Sequence, residues 1–222
     1  MARNRTRRPH KRRNIKPAPA TSNPLALSDD GMARLRLGLS HHQAGRLQDA
    51  ADAYEQVLAL APDNPDANHL LGVVAHQAGQ STLAVELITK AIIGKSDDAA
   101  YHSNLGNAQR ATSDTGAAET SYKRALELTP NDFEVHNNLG NLYSDQEQLE
   151  AAASSYETAI KLNNDYPQAH NNLGVVLQKQ GDLAAAETQF REALQLTPGY
   201  ADAANNLGDV LQSLGRTKDA TA

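Results

Sequence analysis

The sequence predicts an all-α chain, a solenoid of antiparallel helix hairpins with five complete repeats and a partial sixth. Three observations in one register predict it. A Leu-Gly pair recurs every 34 residues, at Leu37-Gly38, Leu71-Gly72, Leu105-Gly106, Leu139-Gly140, Leu173-Gly174 and Leu207-Gly208, with no insertion or deletion. An alanine follows each Leu at the same distance, at Ala50, Ala84, Ala118, Ala152, Ala186 and Ala220. A large apolar residue then comes four positions on, at Tyr54, Ile88, Tyr122, Tyr156 and Phe190. Self-similarity at this period marks a stack of supersecondary units. The composition agrees: aromatics are 4%, Trp is absent and Ala is abundant, which favours closely packed helices over a sheet sandwich.

Each element follows from the spacing. Leu173, Val176 and Leu177 share one helical face, and Ala186, Phe190 and Ala193-Leu194 share another. Gly181-Asp182 between them predicts a turn, with Gly in the left-handed region and Asp capping the second helix. The recurring Gly and Ala are expected where two helices approach closely, with Tyr or Phe filling the space beside them. Pro62, Pro130 and Pro198 stop the second helices in three units. Ser28 or Asp29 is expected to open the first helix. Two helices cannot bury their apolar faces alone, so neighbouring hairpins must stack.

These residues resemble the tetratricopeptide repeat family, whose pattern is Leu-Gly, Ala, an aromatic, Ala and Pro over 34 residues. The resemblance spans 31–222, with units at 31–64, 65–98, 99–132, 133–166 and 167–200 and a partial sixth from 201. It implies a right-handed superhelix whose first helices line a concave groove for a protein or an extended peptide. Departures are few. The inter-helix Gly is replaced by Ser113 and Glu147, and the closing Pro by Ser96 and Asn164. Gly94 is expected to interrupt the second helix of the unit at 65–98. The sixth unit has a first helix and then only 216–222, which leaves two expectations. Either the sequence is a piece of a longer protein, or its C-terminal end docks on a partner or a second copy.

The candidate site is a row of asparagines on the first helices. The residue before Leu-Gly reads Arg36, Leu70, Asn104, Asn138, Asn172 and Asn206, and the one before that includes Asn137, Asn171 and Asn205. An asparagine amide carries two donors and two acceptor sites without charge, which suits a polypeptide main chain whatever its side chains. The row looks like the asparagine ladder in the tetratricopeptide superhelix of O-linked N-acetylglucosamine transferases, and that resemblance implies backbone capture by Asn104, Asn138, Asn172 and Asn206. Asn107, Asn141, Gln178 and Gln212 are flanking candidates for selectivity. A structural role, joining adjacent hairpins, stays open beside the peptide-binding one. The carboxylate clamp of some tetratricopeptide co-chaperones fits poorly: Asn107 and Asn138 match its asparagines, but Ser103, Gln168 and Asn172 stand where Lys or Arg is needed.

Other chemistry finds little footing. There are no Cys residues, and no phosphate-binding Gly loop, HExxH or GxSxG, so no cofactor and no catalysis are expected of this chain. The alternative is the substrate-targeting region of a larger glycosyltransferase or sulfotransferase. His102, His136 and His170 recur one per repeat, too far apart to share a metal ion, and are expected to pack between helices. Residues 1–28 carry eight basic residues and no acid, leaving 13 basic against 26 acidic residues in the body. This tail, with its Pro/Ala/Ser linker, is expected to be disordered. Nonspecific electrostatic contact through 1–16 is possible, but without interleaved aromatics nucleic acid is not the expected partner. No apolar run is long enough to span a membrane, and a cytoplasmic location is the default expectation.

Overall fold

The computed structural model describes residues 27–216. The tail placed at 1–28 therefore lies outside the described residues except for Leu27 and Ser28, as does everything after Arg216. Eleven α-helices and no strands are found among the described residues. The first helices of successive hairpins are α1 (Asp29–Gln43), α3 (Pro65–Gln77), α5 (Ala99–Ala111), α7 (Phe133–Asp145), α9 (Pro167–Gln180) and α11 (Ala201–Ser213). The second helices are α2 (Leu47–Leu60), α4 (Ser81–Gly94), α6 (Thr115–Leu128), α8 (Leu149–Leu162) and α10 (Leu183–Leu196). Among the described residues no helix is long and apolar enough to cross a membrane.

Polar caps start many of these helices. Ser28 Oγ accepts from the Gly31 N–H at 3.2 Å, and Asn64 Oδ1 from Ala67 at 2.9 Å. Asp132 caps α7 and Asp182 caps α10, each satisfying an N–H that lacks an intrahelical partner. The unit at 65–98 corrects an expectation. Gly94 does not break α4 but is its last residue, in register with Leu60, Leu128, Leu162 and Leu196 at the ends of the other second helices. A helix already ending there loses little to a glycine.

Just after each first helix one residue adopts positive φ. Gly45, Gly79, Gly181 and Gly215 do so at no steric cost, whereas Ser113 (φ 61°) and Glu147 (φ 57°) are forced into the same region. A side chain there costs about 1–2 kcal/mol. We therefore expect Glu147→Gly to raise stability by up to about 1 kcal/mol, read as a higher midpoint in urea unfolding.

The hydrophobic core sits between hairpins as much as within them. One cluster joins Ala50, Tyr54 and Val57 of the first hairpin to Ala67, Leu71 and Val74 of the second. Another joins Ala118, Tyr122 and Ala125 to Val135, Leu139 and Leu142 across the third and fourth. The Leu-Gly register is explained by a ring. A Cβ built on Gly140 would lie 2.6 Å from the Tyr156 ring, and one on Gly174 would lie 2.6 Å from Phe190. Successive first helices α3 and α5, α5 and α7, and α7 and α9 also touch one another. Second helices do not come comparably close, so the first helices line the inner side of the stack.

Candidate functional site

The first helices carry side-chain amides at fixed offsets. Asn104, Asn107 and Ala111 of α5 stand in register with Asn138, Asn141 and Asp145 of α7 and with Asn172, Val175 and Lys179 of α9. The ladder asparagines Asn104, Asn138, Asn172 and Asn206 are all half-buried. A hollow of about 270 Å³ opens between His76, Asn107, Arg110, Ala111 and Asp145, and the Arg110 guanidinium is tied to the Asp145 carboxylate at 2.6 Å.

The amides are stitched from repeat to repeat. Asn206 Nδ2 donates to Asn171 Oδ1 at 3.0 Å, and Asn172 Nδ2 donates to both Asn137 Oδ1 and Asn141 Oδ1 at 3.1 Å. Asn104 Nδ2 donates to His69 Nε2 at 2.9 Å. Each bond joins a ladder position to the residue 35 earlier, or in one case 31 earlier. The rung of the fourth hairpin differs because its counterpart is Ser103. Asn138 makes no side-chain hydrogen bond among the described residues, and its amide is left for solvent or a ligand.

The remaining candidates divide by burial. Asn137 is 4% and Asn171 6% exposed, so they support the ladder from below. Asn205 is exposed beside Asn206. Asn107 Oδ1 accepts from the Tyr122 hydroxyl at 2.7 Å, and Asn141 Oδ1 from the Tyr156 hydroxyl at 2.8 Å. Their oxygens thus hold the core tyrosines while their N–H groups stay on the groove side of that bond. A ladder amide bonded through one N–H, as at Asn104 and Asn206, keeps its second N–H and acceptor capacity on the oxygen, whereas Asn172 spends its Nδ2 on two acceptors and its Oδ1 accepts from Asn171 Nδ2 at 3.5 Å.

Two features were not read from the sequence although their signals were present: the pairing of groove residue with ring, and what the recurring histidines, expected only to pack between helices, hold. Where the groove residue is Asn, the ring opposite is Tyr; where it is Val73 or Val175, the partner is Ile88 or Phe190. Leu39 breaks the rule, and the Tyr54 hydroxyl is buried with no hydrogen-bond partner among the described residues. Burial also pushes the Tyr54 hydroxyl pKa up to about 12. We expect Tyr54→Phe to stabilise by about 1 kcal/mol, since it removes an unsatisfied buried hydroxyl, and Tyr156→Phe to destabilise by a similar amount; thermal unfolding of both variants checks the contrast. The second feature is the histidine row. Nε2 of His102, His136 and His170 donates to the carbonyls of Ser96, Pro130 and Asn164 at 2.9, 3.0 and 3.0 Å. In the second hairpin Asn68 Nδ2 reaches the Pro62 carbonyl at 3.0 Å in the same way. The row fastens the loop between hairpins.

His69 adds a titrating group to the groove wall. Its ring stacks on Tyr101 at 4.2 Å, and the Tyr101 hydroxyl donates to Asp66. Burial lowers the His69 pKa to about 4, overcoming Asp98 and Asp66, which act to raise it; Lys95 lowers it further. The neutral ring accepts from Asn104, so a proton on Nε2 would remove that acceptor. The folded pKa lies below the unfolded value near 6.5. The stability from this burial is therefore complete above about pH 6.5 and is lost as pH falls toward 4. His69→Asn, the residue the next-but-one repeat carries, is expected to flatten the decline in melting temperature over that window.

The comparisons agree with this architecture. Models described as tetratricopeptide repeat match residues 25–65, 35–100 and 165–222, and a TPR repeat model matches 106–146 and 140–181. No curated protein matches the chain. Among solved structures, PilW, a widely conserved type IV pilus biogenesis factor, is similar with a TM-score of 0.80 and 18% identity, over 88% of this chain and 90% of its own. PilF of Pseudomonas aeruginosa gives 0.76 and 22%, over 86% and 87%. YrrB, a TPR protein with an unusual peptide-binding site, gives 0.62 and 19%, over 79% and 91%. At these identities the likeness is one of fold.

Proposed function

Because the chain belongs to the tetratricopeptide repeat family, we propose that it is a protein-interaction scaffold that holds an extended polypeptide by its main chain in the amide-lined groove. The observation that carries this reading is the half-used ladder. Asn104, Asn172 and Asn206 are held in place by the preceding repeat; Asn104 and Asn206 each keep one N–H and their oxygen, Asn172 keeps only acceptor capacity on its oxygen, and Asn138 keeps all of its own. Preorganised amides lose little rotamer freedom on binding. Their spacing is set by the hairpin stack and not by the ligand's side chains, which favours a sequence-tolerant grip. The role of Asn137 and Asn171 in this reading is to orient the rungs, while Asn107, Asn141 and Asn205 flank them. The peptide-binding site of YrrB supports the use of this fold for such a purpose.

Net hydrogen bonds contribute roughly 0.5–1.5 kcal/mol each, while ordering a flexible segment costs about 2–5 kcal/mol. Four rungs therefore give weak, broad binding, and tighter partners must add side-chain contacts, for which the hollow at His76, Arg110 and Asp145 is placed. The same ladder, and its likeness to the transferase superhelix, favours a second reading in which the stack presents polypeptide substrates to a transferase. The test common to both is side-chain amide NMR with a peptide selected from a random dodecapeptide library. The resonances of Asn104, Asn138, Asn172 and Asn206 are expected to shift together. Shifts confined to the second helices would place the ligand elsewhere and overturn the proposal.

A further inference from the structure

The repeats differ in one place away from the ladder asparagines, where α2, α3 and α4 meet. In the fourth hairpin Tyr143 leaves α7 toward the preceding second helix, and its hydroxyl donates to Glu119 on α6 at 3.0 Å. The equivalent pair in the second hairpin is Ala75 on α3 and Ala51 on α2, separated by the same 24 residues. Other repeats carry Gln109 or Leu177 where Ala75 stands. Both large side chains are thus replaced by methyl groups across one helix pair. What remains is a cavity of about 290 Å³ walled by Leu47, Leu71, Val74, Leu83 and Leu87 together with the two alanines.

Its electrostatics are one-sided. Glu55 lies one turn along α2 from Ala51 and is exposed, Gln48 and Gln80 are the other polar side chains of the lining, and among the described residues it holds no Lys, Arg or His. A carboxylate and two amides at one side of a leucine- and valine-walled pocket favour a ring carrying a hydrogen-bond donor, and the carboxylate repels an anion. Leu83, 41% exposed, extends the apolar wall to the surface, where a partner chain could reach it. The fourth hairpin supplies the template from within this protein: a tyrosine filling that space, with its hydroxyl on an acid of the preceding second helix.

We propose that this cavity binds a tyrosine side chain presented by a partner polypeptide, with the ring against Leu71, Val74 and Leu87 and the hydroxyl donating to Glu55. It is separate from the amide groove. A buried aromatic anchor of this kind is the sort of contact that dominates an interface, so the site would add the selectivity that the ladder lacks.

The test uses the full chain with labelled leucine and valine methyls, titrated with an acetylated, amidated Gly-Gly-Tyr-Gly-Gly peptide. Saturable shifts are expected at Leu71, Val74, Leu83 and Leu87, and are expected to vanish when the tyrosine is replaced by phosphotyrosine or alanine. Ala75→Tyr, which places the tyrosine of the fourth hairpin in the cavity, is expected to weaken binding at least tenfold. Ala75→Leu, the residue of the fifth hairpin, provides the same block in case the larger ring disturbs folding. Methyls that stay unmoved to the solubility limit would overturn the proposal, as would shifts that survive both Ala75 variants. Binding of free p-cresol without binding of the pentapeptide would overturn it too, leaving a small-molecule cavity.

Discussion

Tyr156→Ala is expected to lower the unfolding free energy by about 3–5 kcal/mol, the range for deleting a buried aromatic ring. The ring is 2% exposed, packs in a cluster with Ala152, Leu173 and Val176, and covers Gly140 so closely that a methyl there would meet it at 2.6 Å. Gly140→Ala approaches the same contact from the other side. Overpacking is expected to cost about 1–3 kcal/mol, despite the better helix propensity of alanine. Gly208 provides the control, because a Cβ on it meets no heavy atom of the described residues within 4 Å. Gly208→Ala should leave stability unchanged or raise it by up to about 1 kcal/mol. Urea unfolding of the three variants checks the set. Similar losses at Gly140 and Gly208 would mean that the ring contact does not set the repeat.

The second large effect separates binding from stability. Asn138→Ala is expected to weaken capture of a library-selected dodecapeptide by roughly fivefold or more, which is about 1 kcal/mol, with the melting temperature unchanged. Asn172→Ala should weaken both. Its Nδ2 serves Asn137 Oδ1 and Asn141 Oδ1, and Asn137 is 4% exposed, so truncation strands a buried acceptor at a cost of about 1–3 kcal/mol. Calorimetric titration and thermal unfolding, run on both variants, give the two readouts. The structure thus assigns different consequences to two asparagines that look equivalent in the repeat pattern.

That difference marks where sequence reading stopped. The hairpins, their turns and the ring over Gly140 were legible because each depends on residues at fixed offsets: Leu, Gly, Ala and aromatic in one register. Gly94 was misread because a glycine was judged by its helix propensity without asking where the second helix ends. The asparagines were harder. Their identities repeat, but whether an amide is spent inside the stack depends on its partner 35 residues earlier: Asn137 for Asn172, His69 for Asn104, and Ser103 for Asn138. Reading down two neighbouring columns together would have exposed Asn138 as the odd rung. The Tyr-with-Asn pairing at Tyr122 and Tyr156 was equally open to that treatment, and so was the exception at Tyr54. The cavity beside Ala75 needed three dimensions, since Ala51 and Ala75 meet only when α2 and α3 pack together.

The central claim is that the groove recognises main chain. It is tested most directly by calorimetry on the selected dodecapeptide, methylated one backbone nitrogen at a time and in parallel scanned with alanine. Methylation at positions facing the ladder is expected to weaken binding by roughly fivefold or more, while alanine at the same positions leaves affinity within about twofold. The opposite pattern, tolerance of N-methylation with loss on side-chain removal, would contradict the account.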